Sequence, residues 1–98
     1  MTMIYNRTGF TLNCMFYDEN KTLVVPESLT YTISNDITGE VLESQIVVPT
    51  LPSYTIPLSV ELNTILGTSE RRKVVIEWIY NDGKSGDTER YYYTIEKA

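Results

Sequence analysis

The sequence predicts an all-β protein, one antiparallel sandwich of about seven strands, and three observations carry that reading. Apolar residues recur with a period of two along most of the chain, which is the signature of strands with one buried face. The only helical spacing, Leu62, Ile65 and Leu66 before Gly67, is one turn long, too short for the crossovers of a parallel sheet. Turn-forming residues separate the periodic segments at intervals of roughly 8–15 residues, as in small sandwiches.

Taken in order, Phe10, Leu12, Cys14 and Phe16 form the first apolar row, with polar Thr11 and Asn13 between them. Thr22 to Val25 reads as a short strand stopped by Pro26. Ser28 to Ser34 alternates strictly, with Leu29, Tyr31 and Ile33 inward and hydroxyl residues outward. Gly39 supplies the tight turn that leads into Val41 to Val48, where Leu42, Ile46 and Val48 are the expected inward row. Tyr54, Ile56, Leu58 and Val60 make the next row; Pro57 lies on the opposite row, and a residue without an N–H belongs at a sheet edge or in a bulge. Val74, Ile76, Trp78 and Tyr80 then pair with Tyr91, Tyr93 and Ile95 as an antiparallel hairpin. The stretch Asn81 to Glu89, with two glycines and three acids, is the expected exposed loop between them. The expected core is Phe10, Leu12, Phe16, Leu29, Tyr31, Ile33, Ile56, Leu58, Ile76, Trp78, Tyr91, Tyr93 and Ile95.

A chain of 98 residues and 11.3 kDa supports one domain and one core. Residues 1–8 read as an N-terminal arm and residues 9–98 as the sandwich domain. No charged start followed by an apolar run marks a signal peptide, and no apolar stretch is long enough to span a bilayer as a helix. Eight Lys and Arg against thirteen Asp and Glu leave a net charge of −5. That balance argues against a nucleic-acid partner and, for a protein partner, suggests basic residues on its side and docking that weakens with salt. With no histidine, the commonest general base and metal ligand is missing, and the single cysteine, Cys14, can form neither an internal disulfide nor a thiolate cage. Neither a nucleophile elbow nor a phosphate loop occurs, so no enzyme and no cofactor is expected.

Together, the segments Leu29-Thr30-Tyr31-Thr32-Ile33-Ser34, Thr38-Gly39-Glu40-Val41-Leu42, Tyr54-Thr55-Ile56-Pro57-Leu58, Val75-Ile76-Glu77-Trp78-Ile79-Tyr80 and Tyr91-Tyr92-Tyr93-Thr94-Ile95 resemble the Ig-like or fibronectin-III-like modules of tailed-bacteriophage virion proteins. The resemblance spans roughly Gly9 to Glu96, and its motifs are generic to small sandwiches. It implies a single Ig-like antiparallel β-sandwich and a non-enzymatic structural role: a capsid decoration, head fibre, neck or tail accessory protein. It also implies location in a virion after synthesis in the host cytoplasm, with other virion proteins (capsid, portal, neck or tail) as partners, many copies per particle, and no membrane.

Several residues carry a structural and a functional reading. Trp78 is in phase with the core, so a buried indole outweighs a ligand-stacking one. Cys14 is in phase with Phe10, Leu12 and Phe16 and reads as a small buried hydrophobe rather than a reactive thiol. The acids of the Asn81 to Glu89 loop, and Asp18 and Glu19 beside Asn20, lack calcium-loop spacing and read as solvated turns. In Glu70-Arg71-Arg72-Lys73, a solvated entry to a strand competes with a contact in which Arg71 and Arg72 fork onto acidic groups of a neighbour.

The outward rows are more informative. If Val74, Ile76 and Trp78 point inward, then Val75 and Ile79 point out, as do Tyr92, Met15 and Tyr17 by the same phase. Such an excess of outer apolar residues marks an interface if it is contiguous. The candidate interface is therefore Tyr5, Met15, Tyr17, Val75, Ile79 and Tyr92, with Arg71 and Arg72 beside it. The competing expectation is that the arm covers these residues, folding Met3, Ile4 and Tyr5 back across a sheet. A second functional class, a carbohydrate-binding or host-surface adhesion module, would use exposed tyrosines to stack on host glycans.

Overall fold

The computed structural model describes residues 2–17, 20–80 and 86–97. Seven strands follow in chain order: β1 (Thr2–Tyr5), β2 (Phe10–Met15), β3 (Ser28–Asn35), β4 (Val41–Val47), β5 (Ser53–Leu58), β6 (Ser69–Ile79) and β7 (Gly86–Glu96). They form a five-stranded sheet, β1-β7-β6-β3-β4, and a two-stranded sheet, β2-β5. The all-β class holds, and every pairing is antiparallel except β1 with β7, which runs parallel. Facing one another, the two sheets make a β-sandwich-like fold.

The seven strands are not quite the expected seven. Thr22 to Val25 is no strand; only a bridge between Tyr17 and Leu23 forms there. The N-terminal arm supplies a strand instead. It extends the edge of the large sheet with Ile4 opposite Ile95 and turned to the core, and it does not lie across the sheet's outer face. Asn81 to Ser85 of the expected loop, and Asp18 and Glu19 of the expected acidic turn, lie outside the described residues. Gly86 to Glu89, expected in the loop, belong to β7. Gly86 opposes Ile79 so closely that a Cβ would stand 2.4 Å from the Trp78 carbonyl oxygen, an approach open only to glycine.

The two sheets enclose a core of Phe16, Leu29, Tyr31, Ile33, Ile56, Leu58, Ile76, Trp78, Tyr93 and Ile95, as the alternation predicts. Phe10, Leu12 and Tyr91 face inward but are only partly buried. Val74 and Ile65 complete the core. The helical spacing does not produce a helix: Leu66, one residue beyond buried Ile65, is 98% exposed. β5 lies over β3, with Tyr54 6.3 Å from Tyr31 between ring centroids, and β2 lies over β6 and β7, with Phe16 against Trp78 and Phe10 edge-on to Tyr93. Pro57 sits in a strand paired on one side only, as its missing donor requires.

In β4 the expected inward row is wrong. Val47, Gln45 and Glu43 oppose Leu29, Tyr31 and Ile33 and share their face, whereas Ile46 and Val48 are 78% and 74% exposed. The ladder slips between Ile33 and Ser34, which pair with Glu43 and Val41 and pass over Leu42, and a bulge of this kind resets the phase of a strand. The turn before it behaves as expected. The Asn35 side-chain oxygen accepts the N–H groups of Ile37 and Thr38 at 2.9 and 3.0 Å, and Gly39 takes φ 80°, where glycine is favoured.

Burial also fixes how the fold responds to alkali. Tyr93 is fully buried and donates to the Asn63 side-chain oxygen at 2.7 Å; burial pushes its pKa up to about 12, with the nearby Arg72 guanidinium holding back part of the rise. Burial likewise raises Tyr31 and the Cys14 thiol. A group whose pKa is higher folded than unfolded stabilises the fold in full below its unfolded pKa, and that contribution is lost as pH climbs through the folded value. Stability measured by urea melts is therefore expected to decline from about pH 10 to about pH 12, where Tyr93 contributes, and Tyr93→Phe should flatten that decline. An undiminished alkaline slope in Tyr93→Phe would count against this assignment.

Candidate functional site

Because paired residues share a face, the ladder registers place the outward side chains of the large sheet in rows. The first row runs Tyr5, Glu96, Ser69; the next Met3, Thr94, Arg71; the next Tyr92, Lys73, Ser34, Val41; the next Arg90, Val75, Thr32, Ser44; the next Thr88, Glu77, Thr30, Ile46; and the last Gly86, Ile79, Ser28. Tyr92 thus has Lys73 directly across, Arg71 and Val75 on the diagonals, and Arg90 two residues away on its own strand. The Arg71 guanidinium carbon stands 5.0 Å above the Tyr92 ring centroid, and its Nε pairs with Asp36 at 2.8 Å. Stacked and tethered in this way, Arg71 is held over the Tyr92 ring while its side chain stays largely open to solvent.

Three of the chain's eight cations therefore surround one half-buried tyrosine on one face of an acidic protein. Two acids lie within the same rows, Glu77 diagonal to Arg90 and Glu96 diagonal to Arg71. The other acids of β7 point the other way: Asp87 and Glu89 oppose Trp78 and Ile76 and so share the inner face. Strand alternation sorts part of the charge: the cations gather around Tyr92, while Glu77 and Glu96 lie toward the ends of the same face and Asp36 pairs with Arg71.

The expected interface residues do not form a single patch. Tyr92, Val75 and Arg71 come together. Ile79 lies on the same face, about 13 Å along β6 from Val75 and beyond Glu77, at the end it shares with Ile46. Tyr5, 56% exposed, lies at the opposite end, across from Glu96. Met15 and Tyr17 belong to the other side of the molecule: Met15 is on the outward row of β2, and the Tyr17 hydroxyl lies 3.9 Å from its sulfur while the Tyr17 carbonyl accepts from the Tyr80 hydroxyl.

Arg72 requires a correction. It is 2% exposed, in phase with Val74, Ile76 and Trp78, and cannot serve a surface contact. Its guanidinium is satisfied inside the protein by the Glu70 carboxylate and by the Leu62 carbonyl at 2.8 Å. Sequence reasoning also passed over Lys73 and Arg90, although both carry a readable signal: Lys73 is in phase with Val75, and Arg90 with Tyr92.

Among the described residues no three His, Cys, Asp or Glu side chains stand close enough together to hold a metal ion, and no helix is long and apolar enough to cross a membrane. Cys14 is half-buried, and burial pushes the pKa of its thiol up. What the outer face offers chemically is recognition: flat apolar area at Tyr92 and Val75 bordered by cations that can pair carboxylates. Comparison with protein-family models, with curated proteins and with solved structures found no match to this chain.

Proposed function

We propose that the chain is a non-enzymatic docking module, built in many copies into a larger protein assembly through the outer face of its five-stranded sheet. The observation that carries this reading is the set of Arg71, Lys73 and Arg90 around Tyr92 and Val75, an aromatic and apolar spot ringed by cations on an acidic chain. Burying Tyr92 and Val75 would supply apolar stabilisation at about 25 cal/mol per Å², less the cost of association, while the cations select an acidic neighbour. Copy number would raise avidity without further contacts. The resemblance to tailed-phage modules supports a virion, with capsid, portal, neck or tail proteins as neighbours. The carbohydrate-binding alternative has less support: one face of the Tyr92 ring is taken by Arg71, and Tyr5 and Tyr17 lie on different sides of the protein.

A density map of the native assembly tests the proposal. A neighbour's surface covering Tyr92, Val75 and Arg90, with carboxylates near Lys73, is the expected result, and Lys73→Glu combined with Arg90→Glu should prevent incorporation. Tyr92 and Val75 left in solvent, with all contacts made elsewhere, would refute it.

A further inference from the structure

The small sheet holds only β2 and β5, so each has one free edge among the described residues. The core is sealed unevenly beneath them. On β5, Ile56 and Leu58 are essentially inaccessible, whereas on β2 the inward residues Phe10, Leu12 and Cys14 all remain partly open, as does Tyr91 on β7 opposite. A cleft of about 260 Å³ opens there between the sheets, bounded by Leu12 to Phe16 on one side and Glu89 to Tyr91 on the other, with Ile76 and Trp78 behind.

The free edges also differ in how they are guarded. Proteins hinder unwanted strand addition with proline, inward charges, bulges or very short edge strands. β5 carries Pro57, β4 carries the inward-facing Glu43 and a bulge at Leu42, and β1 has four residues. β2, Phe-Thr-Leu-Asn-Cys-Met, has no proline, no charge and no bulge in its ladder. Its six residues present about 20 Å of unpaired main chain along the mouth of an apolar cleft.

We infer that β2 and this cleft form an acceptor slot for one extended segment of another polypeptide, which adds as a strand to the free edge of β2 and places alternate apolar side chains against Ile76, Trp78 and Tyr91. The edge fixes the backbone form of the occupant, because unpaired N–H and C=O groups in a row are matched only by another strand. The cleft fixes its side chains, and charge fixes its flank: exposed Asp87 and Glu89 on the inner face of β7 call for Lys or Arg beside the apolar positions. A second copy fits less well, since each of its own edge strands arrives already joined to a sheet, whereas the cleft is walled by both sheets of the host. Arg90 borders both sites, but the slot opens between the sheets and does not depend on the outer docking face.

The only cysteine and the only tryptophan of the chain, Cys14 and Trp78, both line the slot and report on it without labels. The probe is a short synthetic peptide of alternating valine and threonine with a lysine at each end, and its control carries proline at the central valine. At about ten times its dissociation constant the first peptide leaves the slot open about one-tenth of the time, so alkylation of Cys14 by iodoacetamide should slow about tenfold and Trp78 fluorescence should shift. The proline peptide should do neither, Glu89→Lys should weaken binding severalfold, and Lys73→Glu, which lies on the outer face and does not line the cleft, should leave it unchanged. Unaltered Cys14 reactivity and Trp78 emission at saturating peptide would overturn the proposal. So would Cys14 protection that rises with protein concentration alone, with dimers in sedimentation, because the occupant would then be a second copy.

Discussion

Asn63→Ala is expected to destabilise the protein by roughly 3 kcal/mol, lowering the melting temperature by about 12–24 °C in a domain of this size. Asn63 is completely buried in the connection between β5 and β6, and its side chain joins two distant parts of the chain to the end of β5. Its amide nitrogen donates to the Thr8 carbonyl at 2.8 Å and to that of Leu58 at 3.4 Å, while its oxygen accepts from the Tyr93 hydroxyl. Its backbone carbonyl also takes the N–H of Arg7, at 3.0 Å. Alanine would leave the Tyr93 hydroxyl and two carbonyls without their partner in a site with little water, and each orphaned group costs about 1–3 kcal/mol. Tyr93→Phe removes one bond of the set and should cost about 1 kcal/mol, so the double variant should show strong coupling in a cycle of thermal or urea melts. A loss below about 1 kcal/mol for Asn63→Ala would mean that water or rearrangement satisfies the site.

Arg72→Met should cost about 2–3 kcal/mol, whereas Arg71→Met next to it should cost under about 1 kcal/mol. Both arginines pair with a carboxylate, Arg72 with Glu70 and Arg71 with Asp36, yet their surroundings differ. The Arg72 side chain is 3% exposed and that of Arg71 43%. Removing Arg72 strands the Glu70 carboxylate and the Leu62 carbonyl in a largely dry site, while removing Arg71 leaves Asp36 nearer to water. Glu70 keeps a quarter of its side chain in solvent, which places the estimate below the full cost of breaking a wholly buried pair. Restoring most of the lost stability by adding Glu70→Gln to Arg72→Met would confirm that the stranded charge, more than lost packing, sets the cost. Equal effects at the two arginines in urea melts would contradict the buried assignment.

These two arginines show how far the sequence could be read. Period two placed Arg72 on the row of Val74, Ile76 and Trp78, and that phase was right; the expectation that a guanidinium belongs in solvent overrode it. The same phase brought out Tyr92, Val75 and Arg71 and built the core of β3, β6 and β7, because each strand there keeps an uninterrupted alternation between one buried and one open face. It failed in β4, where the bulge at Leu42 shifts the phase and nothing local in the sequence marks it. Thr2–Tyr5 was not readable as a strand, since its partner is β7 at the other end of the chain.

By itself the sequence determined the all-β class, most of the core and the alternation that sends each strand's side chains to one face or the other, since these follow from the local geometry of an extended chain. Only the tertiary structure decided which strands lie side by side. That choice gathers Arg71, Lys73 and Arg90 around Tyr92, joins Thr8, Leu58 and Tyr93 at Asn63, and leaves β2 with an open flank. Strand order is set by the competition among non-local pairings for a shared core, and no window of neighbouring residues contains that information.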